Sequence, residues 1–231
     1  MSIITPAATP GDSGANRAPR HHRRHQRDVF RSFLVEGATL AGPMDIPVME
    51  SVHAEPEGFV PFSVVASGKN RDYNLFVDFY EDDYEIERFW NDPHKYLEVL
   101  RRYAGCIGPD HSTCRDFPVA QKGWNVYRNQ ALGSWLQRNG IVCVPNVRCE
   151  PQLPWMLDGT PHHSTIAIGA RGCVKKPDDR VHFVEAVRYA VDALKPELIL
   201  WYGSNRYGVA SYPESLGIRI RYYPGRFRRQ G

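Results

Sequence analysis

Five short apolar runs in this chain each stop abruptly at small or polar residues. Leu75-Phe76-Val77-Asp78-Phe79-Tyr80 gives way to Glu81-Asp82-Asp83, and Cys106-Ile107-Gly108 to Pro109-Asp110-His111-Ser112. Ile141-Val142-Cys143-Val144 ends at Pro145-Asn146, Ile166-Ala167-Ile168 at Gly169, and Leu198-Ile199-Leu200-Trp201 at Tyr202-Gly203-Ser204-Asn205. Unbroken apolar runs of this length read as strands covered on both faces, which is how parallel sheets are built. Stretches with helical spacing separate them, so the rhythm is that of an α/β protein. The expected fold is a mostly parallel sheet of five to six strands with flanking helices, as an open sheet or as an incomplete β/α barrel. Both forms gather the carboxyl ends of the strands at one rim, where ligands bind in such folds.

The intervening segments carry their own start and stop signals. Ile86, Phe89 and Trp90 share a helix face, and Asp92-Pro93 then opens a second helix, with Asp92 as its cap and Pro93 in the first turn. The best helix runs over 119–139 and stops at Asn139-Gly140. Another covers 181–194, and 218–222 is a last strand. The segments 44–48 and 59–65 read as extended, the latter interrupted by Pro61.

A chain of 231 residues with 42% hydrophobic content holds one domain of this class with a real core. No apolar run approaches the ~18 residues of a membrane span, and no secretory signal opens the chain. The formal net charge is +3, but the ends carry the excess. Arg17, Arg20, Arg23, Arg24 and Arg27 stand against Asp12 alone at one end, and Arg226, Arg228 and Arg229 close the other. Acids outnumber bases in the body between. The expected organisation is a disordered basic tail over 1–27, a single α/β domain over 28–225 and a basic C-terminal tail over 226–231. Five cysteines, an odd number with two of them in predicted strands, imply free thiols and a cytoplasmic, reducing setting.

Candidate chemistry clusters after the first two runs. Asp78, Glu81, Asp82 and Asp83 supply hard oxygens suited to Mg²⁺ or Mn²⁺, or a carboxylate pair for acid–base work. Equally, acids at that point cap the helix that begins there. Asp110, His111 and Ser112 can relay a proton or form a tight turn. Asn125 and Arg128 lie one turn apart on the long helix, with Trp124 and Gln121 beside them. Arg128 there can grip a carboxylate or phosphate, or bridge to a strand-end acid. Tyr202-Gly203-Ser204-Asn205 is a turn or a close ligand approach. Asp82, Asp83, Asp110 and Arg128 are the expected catalytic set, with Asp78, His111, Ser112, Asn125 and Tyr202 as further rim candidates. Cysteine spacings do not match a zinc site, and neither phosphate-loop nor dinucleotide fingerprints are present.

The ordered motifs Asp82-Asp83, Phe89-Trp90-Asn91-Asp92-Pro93, Pro109-Asp110-x-Ser112, Trp124-Asn125-Val126-Tyr127-Arg128, Ala131-Leu132-Gly133 and Tyr202-Gly203 resemble the bacterial and phage family catalogued as domain of unknown function 4417. The resemblance covers about 75–203. It implies an α/β domain carried by phages, plasmids and related mobile elements, and implies no particular reaction. The family pattern has an aromatic where this chain has His111, and a Trp shortly after the Pro145 strand where this chain reads Arg148-Cys149-Glu150. Two functions follow as expectations. One is an acidic site at the strand rim for metal-assisted hydrolysis or phosphoryl chemistry. The other is a non-catalytic accessory or regulatory protein that contacts nucleic acid through its basic tails, with no membrane partner.

Overall fold

The computed structural model describes residues 16–17 and 28–226. The tails expected over 1–27 and 226–231 therefore lie outside the described residues, apart from Asn16, Arg17 and Arg226. In chain order the elements are β1 (Asn16–Arg17), β2 (Thr39–Ala41), β3 (Ile46–Pro47), β4 (Phe59–Pro61), α1 (Phe62–Ala66), β5 (Phe76–Asp78), α2 (Asp83–Asn91) and α3 (Pro93–Leu100). They continue with β6 (Gly105–Ile107), α4 (Val119–Arg138), β7 (Cys143–Val144), β8 (Thr165–Gly169), α5 (Pro177–Leu194), β9 (Leu198–Tyr202), α6 (Ser211–Ser215) and β10 (Arg219–Tyr223).

The strands β4-β5-β6-β7 form one parallel sheet and β8-β9-β10 another. A parallel bridge between Asn146 and Ala167 joins them, with Val147 N donating to Ala167 O (2.9 Å) and Ala167 N to Pro145 O (2.8 Å). The strands thus follow one another in sequence order, β4 to β10. Among the described residues β4 and β10 share no ladder, so the array is not a closed barrel. Its first and last strands still meet through side chains: Phe59 stacks on Tyr223 with ring centroids 4.1 Å apart.

Strand alternation sorts the core into two faces. Phe76, Ile107, Val144, Ala167, Leu200 and Tyr223 face inward and form one cluster. Val60, Val77, Cys106 and Cys143 face outward beneath α1 to α4, and Ile166, Ile168, Ile199 and Trp201 face outward beneath α5. Burial on both faces is what the unbroken apolar runs require. The antiparallel β1-β2-β3 sheet sits apart, with Ile46 of β3 packed on Val126 of α4. All five cysteines are free. Among the described residues no helix is long and apolar enough to cross a membrane.

Most elements stand where the spacing puts them. Asp92 caps α3, accepting from Lys95 N at 3.3 Å with Pro93 in the first turn. Gly140 ends α4 at φ +80°. The segment 59–65 differs: it is extended only to Pro61 and then turns into α1. The cause is distant in sequence. Glu81 accepts from Ser63 N (2.7 Å) and Ser63 Oγ (2.5 Å), so a carboxylate from the next strand end satisfies the first turn of this helix. Five residues are too few for periodicity to reveal that.

Candidate functional site

The inward alternation continues past the strand ends. Asp78 closes β5 facing inward, and Tyr80 and Gly169 occupy the same layer. The Tyr80 ring stacks on Tyr202 at the end of β9, centroids 4.5 Å apart and 15° from parallel. An ideal Cβ on Gly169 would lie 2.5 Å from Tyr80 Cε1, so glycine is what lets the ring lie against β8.

Two arginine–carboxylate pairs frame this aromatic pair. Arg226, just past β10, donates through Nη2 to Asp78 Oδ1 (2.6 Å) and Oδ2 (2.8 Å), and through Nε to the Tyr202 hydroxyl (3.2 Å). Arg148 donates through Nε to Asp110 Oδ1 (2.7 Å) and through Nη2 to Oδ2 (2.6 Å), in the forked geometry an arginine offers a carboxylate. Its Nη1 reaches Gly169 O at 2.9 Å. Asn146 links the two halves: its Nδ2 donates to Asp110 Oδ1 (2.7 Å), and its Oδ1 accepts from the Tyr80 hydroxyl (3.0 Å). Every member lies at or just beyond the carboxyl end of a strand.

The electrostatics of the rim follow from burial. Asp78 is wholly buried, and loss of hydration pushes its carboxyl up to about 6 although the Arg226 guanidinium pulls it down. Burial, reinforced by Asp110, holds the Tyr80 phenol well above its ordinary value, so it is a neutral donor. Burial alone would lower Arg148, but Asp110 more than offsets this and holds the guanidinium well above the usual arginine range. Asp78 is therefore the group in this cluster poised to exchange a proton near neutrality.

Two openings flank the cluster. A recess of about 280 Å³ is lined by Ser63, Glu81, Asp82, Tyr84, Arg171 and Arg226. Asp82 faces Arg171 at 3.8 Å, and Arg171 also donates to Tyr80 O. A larger cleft of about 720 Å³ lies on the other side of the Asp110–Arg148 pair, between the loop after β6 and α5. It occupies the place where no α-helix covers the connection from β7 to β8.

The expected catalytic residues and the further rim candidates are thus divided. Asp78, Asp110 and Tyr202 meet at the rim, and Asp82 sits at the mouth of the recess. Asp83 and Arg128 belong to a second cluster that ties α2, the loop after β6 and α4 together. Asp83 accepts from Ser112 N (3.0 Å) and Ser112 Oγ (3.1 Å), and Asn125 donates to Ser112 O. Arg128 pairs with Glu87 of α2, donates to Asn125 Oδ1 at 2.7 Å, and lies 5.6 Å from the Trp90 and Trp124 ring centres. It bridges two helices rather than reaching a strand-end acid. His111 is wholly buried beside it. Burial and the Arg128 charge push its pKa down to about 4, against the opposing bond to Asn129. Its Nδ1 lies 2.7 Å from Asn129 Oδ1, which fixes the proton on that nitrogen. At the start of α2, Asp82 occupies the cap position and makes no side-chain cap hydrogen bond, while Glu81 and Asp83 serve Ser63 and Ser112.

Tyr80, Arg148, Arg171 and Arg226 are the rim residues that sequence reasoning passed over. Tyr80 was legible as the residue two beyond Asp78, on the same face of the strand. Arg226 stands in one run with Arg228 and Arg229, and nothing local distinguishes it. Among the described residues no three His, Cys, Asp or Glu side chains are grouped to hold a metal ion. The candidate Mg²⁺ or Mn²⁺ ligands Asp78, Glu81, Asp82 and Asp83 face Arg226, Ser63, Arg171 and Ser112 in turn.

Comparison with known proteins agrees with the family resemblance. The family model described as Domain of unknown function (DUF4417) matches residues 38–218. The Gene 1 protein of Mycobacterium phage L5 is 31% identical over 160 residues, covering 66% of this chain and 70% of that protein. The Gene 1 protein of Mycobacterium phage D29 is 30% identical over 160 residues, covering 66% of this chain and 59% of that protein. No solved structure matches the chain.

Proposed function

The chain belongs to the DUF4417 family, whose description names no reaction, and from the geometry of the rim we propose that it binds a ligand bearing a phosphate or carboxylate there. Asp78 is the acid–base group, and Arg226 is the cation that meets the ligand's anion. The observation that carries this reading is the fully buried Asp78 carboxyl, whose counter-charge comes from a part-exposed arginine just past β10. An anion at the recess competes with Asp78 for Arg226. Losing that guanidinium removes the strongest influence that lowers the Asp78 pKa, so ligand entry drives a proton onto Asp78. A buried protonated carboxyl beside a bound phosphate or acyl group is the arrangement of a general acid. Hydrolysis or phosphoryl transfer is the class it serves. Asp110, Asn146 and Arg148 act as positioning residues that hold Tyr80 toward the centre.

Isothermal titration calorimetry with inorganic phosphate and a panel of phosphorylated and carboxylated metabolites, run at pH 6.5 in buffers of different ionisation enthalpy, tests this. The expected outcome is a ligand whose binding takes up protons in the wild type and takes up none in Asp78→Asn, with at least tenfold weaker binding in Arg226→Ala. Binding with no proton uptake, or binding indifferent to both substitutions, contradicts the reading.

A second reading, an accessory or regulatory protein touching DNA through its basic ends, draws on the phage relatives and on the arginines at both ends of the sequence.

A further inference from the structure

The body of the chain is acidic on average, yet one side of the rim is not. Arg171, Lys175 and Lys176 lie on the loop between β8 and α5, and Arg180 is in the first turn of α5. Arg206 lies on the loop after β9. Only Asp178 and Asp179 oppose them within these segments. Lys175, Lys176 and Arg206 are exposed.

Tyr207 stands against two of these arginines, Arg180 and Arg206. Its backbone is left-handed, φ +71° and ψ +16°, a conformation costly for a bulky side chain. The loop enforces it: Asn205 Oδ1 accepts from Ala210 N (2.9 Å), Asn205 O accepts from Gly208 N (3.2 Å), and Ser204 Oγ accepts from Arg206 N (3.0 Å). The strain is not returned by packing, because Tyr207 is 57% exposed. What the loop achieves is to hold the ring out among arginines. Arg180 Cζ lies 4.0 Å and Arg206 Cζ 5.1 Å from the ring centroid, and Arg180 is itself fixed by a bond to Val174 O at 3.3 Å.

A displayed aromatic ring with stacked guanidinium groups, set in a field of exposed lysines and arginines, matches the chemistry of unpaired nucleic acid. Bases stack on aromatic and arginine planes while phosphates meet the cations. A duplex keeps its bases inside and has no use for the ring. We infer that the loops after β8 and β9 form a binding surface for single-stranded nucleic acid, with a base on the Tyr207–Arg180–Arg206 stack and the backbone along Arg171, Lys175 and Lys176. This surface belongs to the folded body rather than to the basic ends, and it does not depend on the proton chemistry of Asp78.

Fluorescence anisotropy of the full chain with a labelled twenty-nucleotide oligothymidine tests it. Tyr207→Gly removes the ring and relieves the backbone strain, so the expected result is unchanged or higher thermal stability with at least tenfold weaker binding. Lys175→Gln with Lys176→Gln is expected to weaken binding and to lower the salt dependence by about 0.7 in slope per lysine. Removal of residues 1–27 is expected to leave a Tyr207-dependent component intact. Binding insensitive to Tyr207→Gly and to the double lysine change, binding lost wholly with residues 1–27, or equal affinity for a duplex of the same length would each overturn the inference.

Discussion

Asp78 and His111 are buried ionisable residues with opposite effects on stability. The Asp78 carboxyl titrates near 6 in the folded protein instead of 3.8. Between those values the folded state holds a proton that the unfolded chain has released. Its contribution is therefore fully present below pH 3.8 and is lost as pH rises through 6, on the order of 3 kcal/mol. His111 titrates near 4 instead of 6.5, so its contribution is present above pH 6.5 and is lost as pH falls through 4. Over the same window the two offset each other. Denaturant unfolding between pH 4 and 7 should find Asp78→Asn more acid-sensitive than the wild type. His111→Phe should gain stability on acidification. If both variants keep the wild-type pH profile, neither residue has the environment described.

Elements are legible in the sequence where their signals are local and hidden where their partners are distant. The helix at 119–138, its stop at Gly140 and the cap at Asp92 all follow from neighbours within one or two turns. The helix α1 and the roles of Glu81 and Asp83 do not, because their partners Ser63 and Ser112 lie 18 and 29 residues away. For the same reason a single run of rim candidates separated into two clusters. Strand-end residues two apart share a face, but Asp82 and Asp83, adjacent in sequence, point to different neighbours. The helix-tying cluster should behave as structure. Asp83→Ala and Arg128→Ala are each expected to cost about 1–3 kcal/mol, seen as a shift in the urea midpoint, while rim ligand affinity stays within twofold. Loss of ligand binding without loss of stability would place these residues at the site instead.

The whole molecule is a run of parallel strands in sequence order, bridged at Asn146 and Ala167 and left open between β4 and β10. Sequence rhythm conveyed the parallel sheet, but not that the array curves until Phe59 touches Tyr223, because curvature is the sum of many small twists. That curvature brings Arg226 onto Asp78 across 148 residues of chain and makes the rim a charged, half-enclosed centre. Asp78 in that centre is the claim on which the functional reading stands, and its titration is directly observable. Carbon-13 NMR of the Asp78 side-chain carboxyl, followed from pH 3 to 9, should give a midpoint near 6 that moves upward in Arg226→Ala. A midpoint near 4, unmoved by that substitution, would contradict the account.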